Sequence, residues 1–190
     1  MGLVGEFEEA CKLNSPVVPS QNLGSVWKAP DAGAYKLNTD ANFSVQQLLG
    51  VGGVLRDADG SVLMAYCSTL RGSYGVDLGE AIAMRQSLGI ALEVGFRNFM
   101  LETDNIKLFH HMKKGIIIPN DFGNVIRDIL RLVSQCFSCS FSFVKRFGNG
   151  VAHGLANLSS NFSEYRAWLE EYPSEIHGEV CNDLDLLMNE

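Results

Sequence analysis

The sequence lacks any apolar run of the roughly 18 or more residues that a transmembrane helix requires. Its first residues, 1–6, also lack the basic region and the apolar core of a secretion signal. We therefore expect an intracellular protein, nuclear or cytoplasmic, that is not secreted and makes no contact with a membrane.

Cysteine is scarce too, with five in 190 residues. An odd number in a chain of this length argues against a disulfide framework and for a reducing compartment. Cys136 and Cys139 form an isolated CxxC pair, for which zinc or redox chemistry is one interpretation. A structural zinc site needs two further well-spaced ligands, and none follow. We interpret the pair as small apolar residues near the boundary of a secondary-structure element.

Positive charge is in short supply, because the net charge is −7. The deficit lies at the ends of the chain: residues 27–163 carry 13 basic and 11 acidic side chains, whereas residues 164–190 carry one basic and eight acidic. A weakly basic centre predicts modest, salt-sensitive binding to a phosphate backbone. Residues 1–26 contain two prolines, three glycines and no periodicity. We therefore predict a flexible leader at 1–26, a domain at 27–163 and an acidic C-terminal tail at 164–190.

The centre of the chain alternates between strand-like and helix-like patterns. The Asp59-Gly60 turn between two apolar runs is typical of a hairpin and predicts a three-stranded antiparallel meander. Apolar residues then recur at helical spacing up to Gly95. The predicted strands cover 34–44, 48–56, 62–70, 98–103 and 140–145, and the predicted helices cover 77–95, 105–113, 121–136 and 149–158. This order predicts an α/β protein with a mixed sheet flanked by helices.

Three carboxylates occupy unexpected positions. Asp40 lies within or at the end of the first strand, where Asp is disfavoured. Glu80 precedes Met84 by four residues, so it shares the apolar face of the long helix. Asp104 follows an apolar strand and begins a helix. Each has an ordinary explanation as well, because Asp40 can mark a strand end, Glu80 can lie in an exposed first turn, and Asp104 can cap a helix.

Considered together, the three carboxylates favour a metal site. They would bring like charges close together in a partly buried place, which is unfavourable unless a positive charge lies between them. A hard divalent cation with oxygen ligands would supply that charge. Two such ions about 3.5–4 Å apart can bind the attacking and leaving oxygens of a phosphodiester. The sequence therefore predicts a divalent-metal site formed by Asp40, Glu80 and Asp104.

An ordered series of motifs over about residues 27–160 resembles the plant ribonuclease H-like domains related to reverse transcriptases. The motifs are Trp27-Lys-Ala-Pro30, Gly33 to Asp40, Gly50 to Asp57, Gly79-Glu80-Ala81, Gly95 to Asn98, Leu101-Glu-Thr-Asp104, Val144-Lys-Arg146 and Asn149 to Ala156. The resemblance implies a ribonuclease H-like fold with a five-stranded mixed sheet flanked by helices. It also implies a retroelement-related endonuclease that uses Mg²⁺ to cleave the RNA strand of RNA–DNA hybrids.

By position, Asp40, Glu80 and Asp104 match the first three catalytic acids of that family, and His153 stands where the fourth acid is expected. The resemblance thus implies these four as catalytic and metal-binding residues for two ions, Mg²⁺ or Mn²⁺. A neutral imidazole removes one negative charge, so we expect the second ion to bind weakly and Mn²⁺ to be tolerated better than Mg²⁺. The alternative is that His153 makes no metal contact. The candidate contacts to the nucleic-acid backbone are Asn42, Lys145, Arg146 and Asn149.

Two other functions remain open on the sequence. A catalytically inactive nucleic-acid-binding module with the same fold is favoured by His153 and by the weakly basic domain. A protein-interaction module is favoured by the acidic tail, because its apolar residues, among them Trp168 and Leu169, could fold on a protein partner. Under the main hypothesis the partner is an RNA–DNA hybrid, and we expect the protein to act as a monomer. Fold alone does not decide among these functions.

Overall fold

The computed structural model describes residues 26–44 and 47–188, so nearly all of the predicted leader at 1–26 lies outside the described residues. The strands are β1 (Tyr35–Phe43), β2 (Leu48–Arg56), β3 (Val62–Arg71), β4 (Asn98–Thr103), β5 (Ser138–Phe143) and β6 (Arg166–Leu169). The helices are α1 (Val76–Val94), α2 (Ile106–Lys114), α3 (Asp121–Val133), α4 (Gly150–Leu158) and α5 (His177–Met188). No helix among the described residues is long and apolar enough to cross a membrane.

The sheet is mixed, with the strand order β5-β4-β1-β2-β3-β6. Strands β1, β2 and β3 form the predicted antiparallel meander, while β4 pairs in parallel with both β1 and β5. The predicted turn between β2 and β3 is present as well. Gly60 has a φ of 80°, which glycine adopts without steric cost, and its amide donates to the carbonyl of Asp57 at 3.1 Å. The predicted mixed sheet with flanking helices is thus confirmed.

The expected number of five strands is wrong, because the described residues form six. Strand β6 pairs antiparallel with β3, with Met64 opposite Leu169 and Cys67 opposite Arg166. It lies in the stretch predicted as an acidic tail. A strand of four residues is too short to show a clear two-residue alternation, and the acidic side chains around it suggested a solvated segment. A strand can nevertheless pair with an open sheet edge through its backbone alone, without an alternating or apolar pattern in its side chains.

The described part of 164–190 also contributes α5, which packs against the same domain. Ile176 and Val180 are buried in an apolar cluster with α4 and the sheet. Asp183 on α5 accepts a hydrogen bond from Arg56 of β2 at 2.7 Å, and the Arg56 side chain is 1% exposed. The guanidinium of Arg56 also lies over the Trp27 ring, 3.6 Å from its centroid. A buried ion pair therefore fastens α5 to the centre of the sheet.

The two faces of the sheet are covered by different helices, and β2 shows why. Its residues Leu49, Val51 and Leu55 belong to the large apolar cluster with α1 and α3, whereas Val54 belongs to the smaller cluster with α4 and α5. Alternate residues of a strand point to opposite faces, so one strand serves both clusters. The apolar pattern of β2 is nearly continuous because both faces are buried.

Glycine allows α4 to lie directly on the backbone of β2. A Cβ atom at Gly52 would collide with the carbonyl oxygen of Ala152, and one at Gly50 with that of Ala156. Gly52 is the cross-strand partner of Asp40 in β1. This close approach brings the surface of α4 that carries His153 next to Asp40.

We predict that Asp183→Asn destabilises the protein, because it leaves the Arg56 guanidinium buried without its counter-charge. Breaking a buried ion pair from one side lowers the free energy of unfolding by about 3–5 kcal/mol. Urea denaturation of the full chain measures this change. Glu171→Gln is the matched control, since it removes an exposed carboxylate from the same acidic stretch. Equal unfolding free energies for the two variants would contradict the structural role of the ion pair.

Candidate metal centre

Asp40 and Asp104 come together because they extend two neighbouring parallel strands. In the pairing of β1 with β4, Asn38 is opposite Glu102, so Asp40 and Asp104 follow two residues later on the same edge. The Asp40 side chain is fully buried and that of Asp104 is 8% exposed. Residues two apart on a strand share a face. The carboxyl ends of β1 and β4 therefore present two carboxylates side by side.

Glu80 reaches the same place from α1. It is buried, as is Met84 one turn later, so the helix face that carries both is turned toward the sheet, as predicted from their spacing. The start of α1 packs tightly there, because a Cβ atom at Gly79 would approach the Phe43 ring at 2.5 Å. One carboxylate oxygen each from Asp40, Glu80 and Asp104 lies within 4.8 Å of the others. The three predicted acids thus form one cluster.

The cluster is short of positive charge. Burial, together with the negative charges of Asp40 and Asp104, raises the pKa of Glu80 from 4.5 to about 9. An amide hydrogen bond from Ala41 offsets only part of this. Burial also raises the pKa of Asp40, although the hydrogen bond from His153 opposes the effect. Among the described residues, Oε2 of Glu80 is buried and has no hydrogen-bond partner.

Arg146 lies in the carboxylate cluster, although the sequence suggested it as a contact to phosphate. Its Nη1 donates to Oδ1 of Asp40 at 2.7 Å and to Oδ2 of Asp104 at 3.1 Å. Its Nη2 is 2.8 Å from Nδ1 of His153. The Arg146 side chain is nevertheless 55% exposed, because it enters the cluster from the surface.

His153 lies beside Asp40. Its Nδ1 is 2.8 Å from Oδ2 of Asp40, and its Nε2 is 3.0 Å from the side-chain amide of Asn157. A protonated Nδ1 donates to Asp40, whereas an unprotonated Nδ1 accepts from Arg146. The imidazole therefore contacts one of the three clustered carboxylates directly.

The other candidate nucleic-acid contacts lie in different environments. Asn149 is buried, where its amide donates to the carbonyl of Thr39 at 2.9 Å and its Oδ1 accepts from Asn38 at 3.3 Å. It therefore holds the start of α4 against β1 and has no exposed surface to offer a ligand. Lys145 is exposed immediately before Arg146, and Asn42 is partly exposed two residues beyond Asp40.

Sequence reasoning missed a buried polar network beneath the carboxylates. Glu102 accepts hydrogen bonds from Lys36 and from Asn38, each at 2.9 Å. Asn38 also accepts from the indole of Trp27 at 2.9 Å. Asn38 and Glu102 precede Asp40 and Asp104 by two residues, so polar residues at alternate positions of both strands were the available signal. The network couples β1 to β4 and fixes the spacing of their carboxylates.

Phe147 was also missed. It is 70% exposed, directly after Lys145 and Arg146, in a short 3-10 turn at Arg146–Asn149. The next two residues, Gly148 and Asn149, are buried, so the turn is anchored on the inner side. A single exposed aromatic carries no periodicity, and only its place between basic residues and a glycine could have indicated a surface role.

The cluster suits a hard divalent cation. Its donors are carboxylate oxygens, which Mg²⁺ and Mn²⁺ prefer, and one buried oxygen of Glu80 lacks a partner. The raised pKa of Glu80 reports the same deficit of positive charge, which a bound cation would correct. Within the described residues, no other group of three or more His, Cys, Asp or Glu side chains converges in this way.

A mixed sheet flanked by helices, with carboxylates gathered where two parallel strands end, is the arrangement of the ribonuclease H-like fold. Residues 38–159 match the reverse-transcriptase-like family, and the chain belongs to that family. This match contains all four predicted catalytic positions. No curated protein sequence matches the chain.

Solved structures agree on the fold. The RNase H1 of Halobacterium salinarum is 21% identical with a TM-score of 0.62, and the match covers 68% of this chain and 98% of that one. The N-terminal RNase H domain of a Mycobacterium tuberculosis protein is 20% identical with a TM-score of 0.61, covering 67% and 94%. LC11-RNase H1, isolated from compost and solved with an RNA/DNA hybrid, is 16% identical with a TM-score of 0.56, covering 67% and 96%.

We predict that Glu80→Gln stabilises the metal-free protein by about 0.5–2 kcal/mol at about pH 8, with little gain at about pH 5. The folded pKa of Glu80 is about 9 and the ordinary value is 4.5, so between these values the unfolded state ionises Glu80 while the folded state keeps it protonated. The stability of the wild-type protein therefore falls as the pH rises through this interval. Glutamine stays neutral throughout.

Urea denaturation in the presence of a chelator at both pH values measures the effect. Glu93→Gln, which neutralises an exposed carboxylate on the same helix, is the control. A Glu80→Gln protein that is no more stable than wild type at about pH 8 would contradict the strained state of this carboxyl group.

Proposed function

We propose that this protein is a metal-dependent endonuclease that cleaves the RNA strand of RNA–DNA hybrids. The observation that carries the proposal is the convergence of Asp40, Glu80 and Asp104 within 4.8 Å at the carboxyl ends of two parallel strands. The fold is shared with RNase H1 enzymes, and one such relative has been solved with an RNA/DNA hybrid bound. The foamy viral protease-reverse transcriptase, also solved with an RNA/DNA hybrid, has a TM-score of 0.54.

Asp40, Glu80 and Asp104 would hold the divalent ions, Mg²⁺ or Mn²⁺, and His153 is the fourth candidate ligand. When bound, two such ions would lower the pKa of the attacking water and stabilise the departing 3′ oxygen. Asp40 is the central residue, because it borders both the other acids and His153. The Asn38–Glu102 hydrogen bond keeps the two strand-borne carboxylates at a fixed separation.

Substrate binding would depend on the backbone and shape of the duplex, and the 2′-hydroxyl would identify the RNA strand. Lys145 and Arg146 are the basic residues nearest the cluster, and the exposed Phe147 beside them offers an apolar surface to a sugar or base. Asn42 is partly exposed near the same end of β1 and is a further candidate contact. The mildly basic domain predicts affinity that falls as salt is added.

One observation favours the alternative of an inactive binding module. Arg146 and His153 already supply partners to Asp40, so the cluster can persist in a folded chain without any metal. The protein-interaction alternative has less support, because Trp168 packs against the Phe162 ring at a centroid distance of 6.0 Å and Ile176 and Val180 are buried. Cleavage and binding assays separate these alternatives.

We predict that Asp40→Asn lowers cleavage of the RNA strand by about 10²-fold or more, because it removes the central charge of the cluster. The assay follows an end-labelled RNA strand in an RNA–DNA duplex with Mg²⁺ or Mn²⁺. Asp31→Asn, the same substitution at an exposed position, is the control and should cleave like wild type. Circular dichroism checks that both variants fold.

Two outcomes would reject parts of this proposal. Full activity of Asp40→Asn would remove Asp40 from the site. A folded wild-type protein that binds the hybrid but cleaves it with neither metal would leave the binding module as the function.

We predict that His153→Asp reduces the Mg²⁺ concentration needed for half-maximal cleavage by about 10-fold, because Mg²⁺ prefers an oxygen ligand to an imidazole. The effect on the Mn²⁺ requirement should be smaller. Ser160→Asp adds the same charge at an exposed position just beyond α4 and serves as the control. An unchanged Mg²⁺ requirement in His153→Asp would place the imidazole outside the metal site.

A further inference from the structure

Arg146 binds two of the three carboxylates that would hold a cation. One nitrogen of its guanidinium bridges Oδ1 of Asp40 and Oδ2 of Asp104, at 2.7 and 3.1 Å. The other nitrogen lies 2.8 Å from the imidazole of His153. Three of the four residues expected to hold metal are therefore engaged by one permanently charged side chain.

A guanidinium and a divalent cation cannot share these oxygens without mutual repulsion. Both are positive, and both would be held by the carboxylates of Asp40 and Asp104. Because Arg146 remains charged at all working pH values, loss of a proton from its guanidinium cannot release it from the cluster. Metal entry therefore requires the side chain to move away.

The position of Arg146 allows such a movement. Its side chain is 55% exposed, whereas the neighbouring Gly148 and Asn149 are buried and anchor the turn. The side chain can therefore leave the cluster by rotation while the backbone of the turn stays fixed. A guanidinium released at the surface beside Lys145 matches the geometry of a phosphate group, which it binds through two parallel hydrogen bonds.

We infer that Arg146 is an exchangeable counter-ion that links metal binding to substrate binding. In the free protein it partly neutralises the carboxylates and weakens metal affinity. When a hybrid binds, its backbone phosphate takes the guanidinium, and the carboxylates become available to the metal. Because coupling between two ligands is reciprocal, metal would strengthen hybrid binding by the same factor. This inference rests on the proposed function for the identity of the phosphate ligand.

The test is a calorimetric titration of the full metal-free chain with Mn²⁺, with no nucleic acid present. Arg146→Gln should bind Mn²⁺ about 5-fold or more tightly than wild type, because the competing charge is gone. Lys145→Gln, which removes an adjacent exposed charge that makes no contact with the carboxylates in the structure, should change the affinity by less than about 2-fold. Equal affinities for wild type and Arg146→Gln would overturn the inference.

Thermal unfolding provides a second readout that a merely structural role would not reproduce. With a chelator, Arg146→Gln should unfold at a lower temperature than wild type, because the carboxylates have lost their counter-ion. With saturating Mn²⁺, its gain in Tm should exceed that of wild type. A Tm that is reduced equally with and without Mn²⁺ would show that Arg146 only stabilises the fold and would contradict the exchange.

If Arg146→Gln does not fold without metal, Arg146→Lys decides the question. The ammonium keeps the charge but not the planar fork, so its bridge between the two carboxylates is weaker. Its Mn²⁺ affinity should exceed that of wild type, and an affinity equal to wild type would overturn the inference. Neither titration depends on turnover. If the protein passes both tests but cleaves no hybrid, Arg146 is still an exchangeable counter-ion, and only the proposed nuclease function is rejected.

Discussion

When ionised, the carboxylates of Asp40, Glu80 and Asp104 repel one another at a buried edge of the sheet, and the surrounding fold is what holds them there. The parallel pairing of β1 with β4 aligns two of the carboxylates, and the Asn38–Glu102 hydrogen bond braces that pairing from beneath. The close packing of α1 brings in the third. Functional sites commonly retain such strain because the rest of the structure over-determines their geometry. The raised pKa of Glu80 is the measurable sign of it here.

The same repulsion connects the stability of the free protein to its proposed chemistry. Arg146 and His153 partly compensate the carboxylates in the described structure. A divalent cation would compensate them more fully, since its charge is larger and its preferred ligands are oxygens. The electrostatic deficit that weakens the metal-free fold would therefore be the source of the proposed metal affinity. A carboxylate site that was fully neutralised by neighbouring side chains would have little affinity for a cation.

Local patterns in the sequence predicted most of the fold. The Asp59-Gly60 turn predicted the meander, and the helical spacing of apolar residues around Met84 predicted α1. The same spacing predicted that Glu80 faces the sheet. Such local patterns could not predict contacts between residues that are far apart in the sequence. Asp183 pairs with Arg56 across 127 positions, and β6 joins the sheet through backbone pairing alone. Asn149 and Arg146 were both predicted from the sequence as contacts to the nucleic-acid backbone. Only tertiary packing decides that Asn149 is buried and that Arg146 lies among the carboxylates.

The most direct test of the metal centre is anomalous diffraction from crystals of the full chain soaked in Mn²⁺. We expect a strong anomalous peak in contact with the carboxylates of Asp40, Glu80 and Asp104, with the Arg146 side chain moved out toward solvent. Absence of a peak at saturating Mn²⁺, with Arg146 still bridging Asp40 and Asp104, would contradict the proposed metal centre. That result would mean that the cluster is neutralised by the protein's own side chains and that the chain does not use metal at this site.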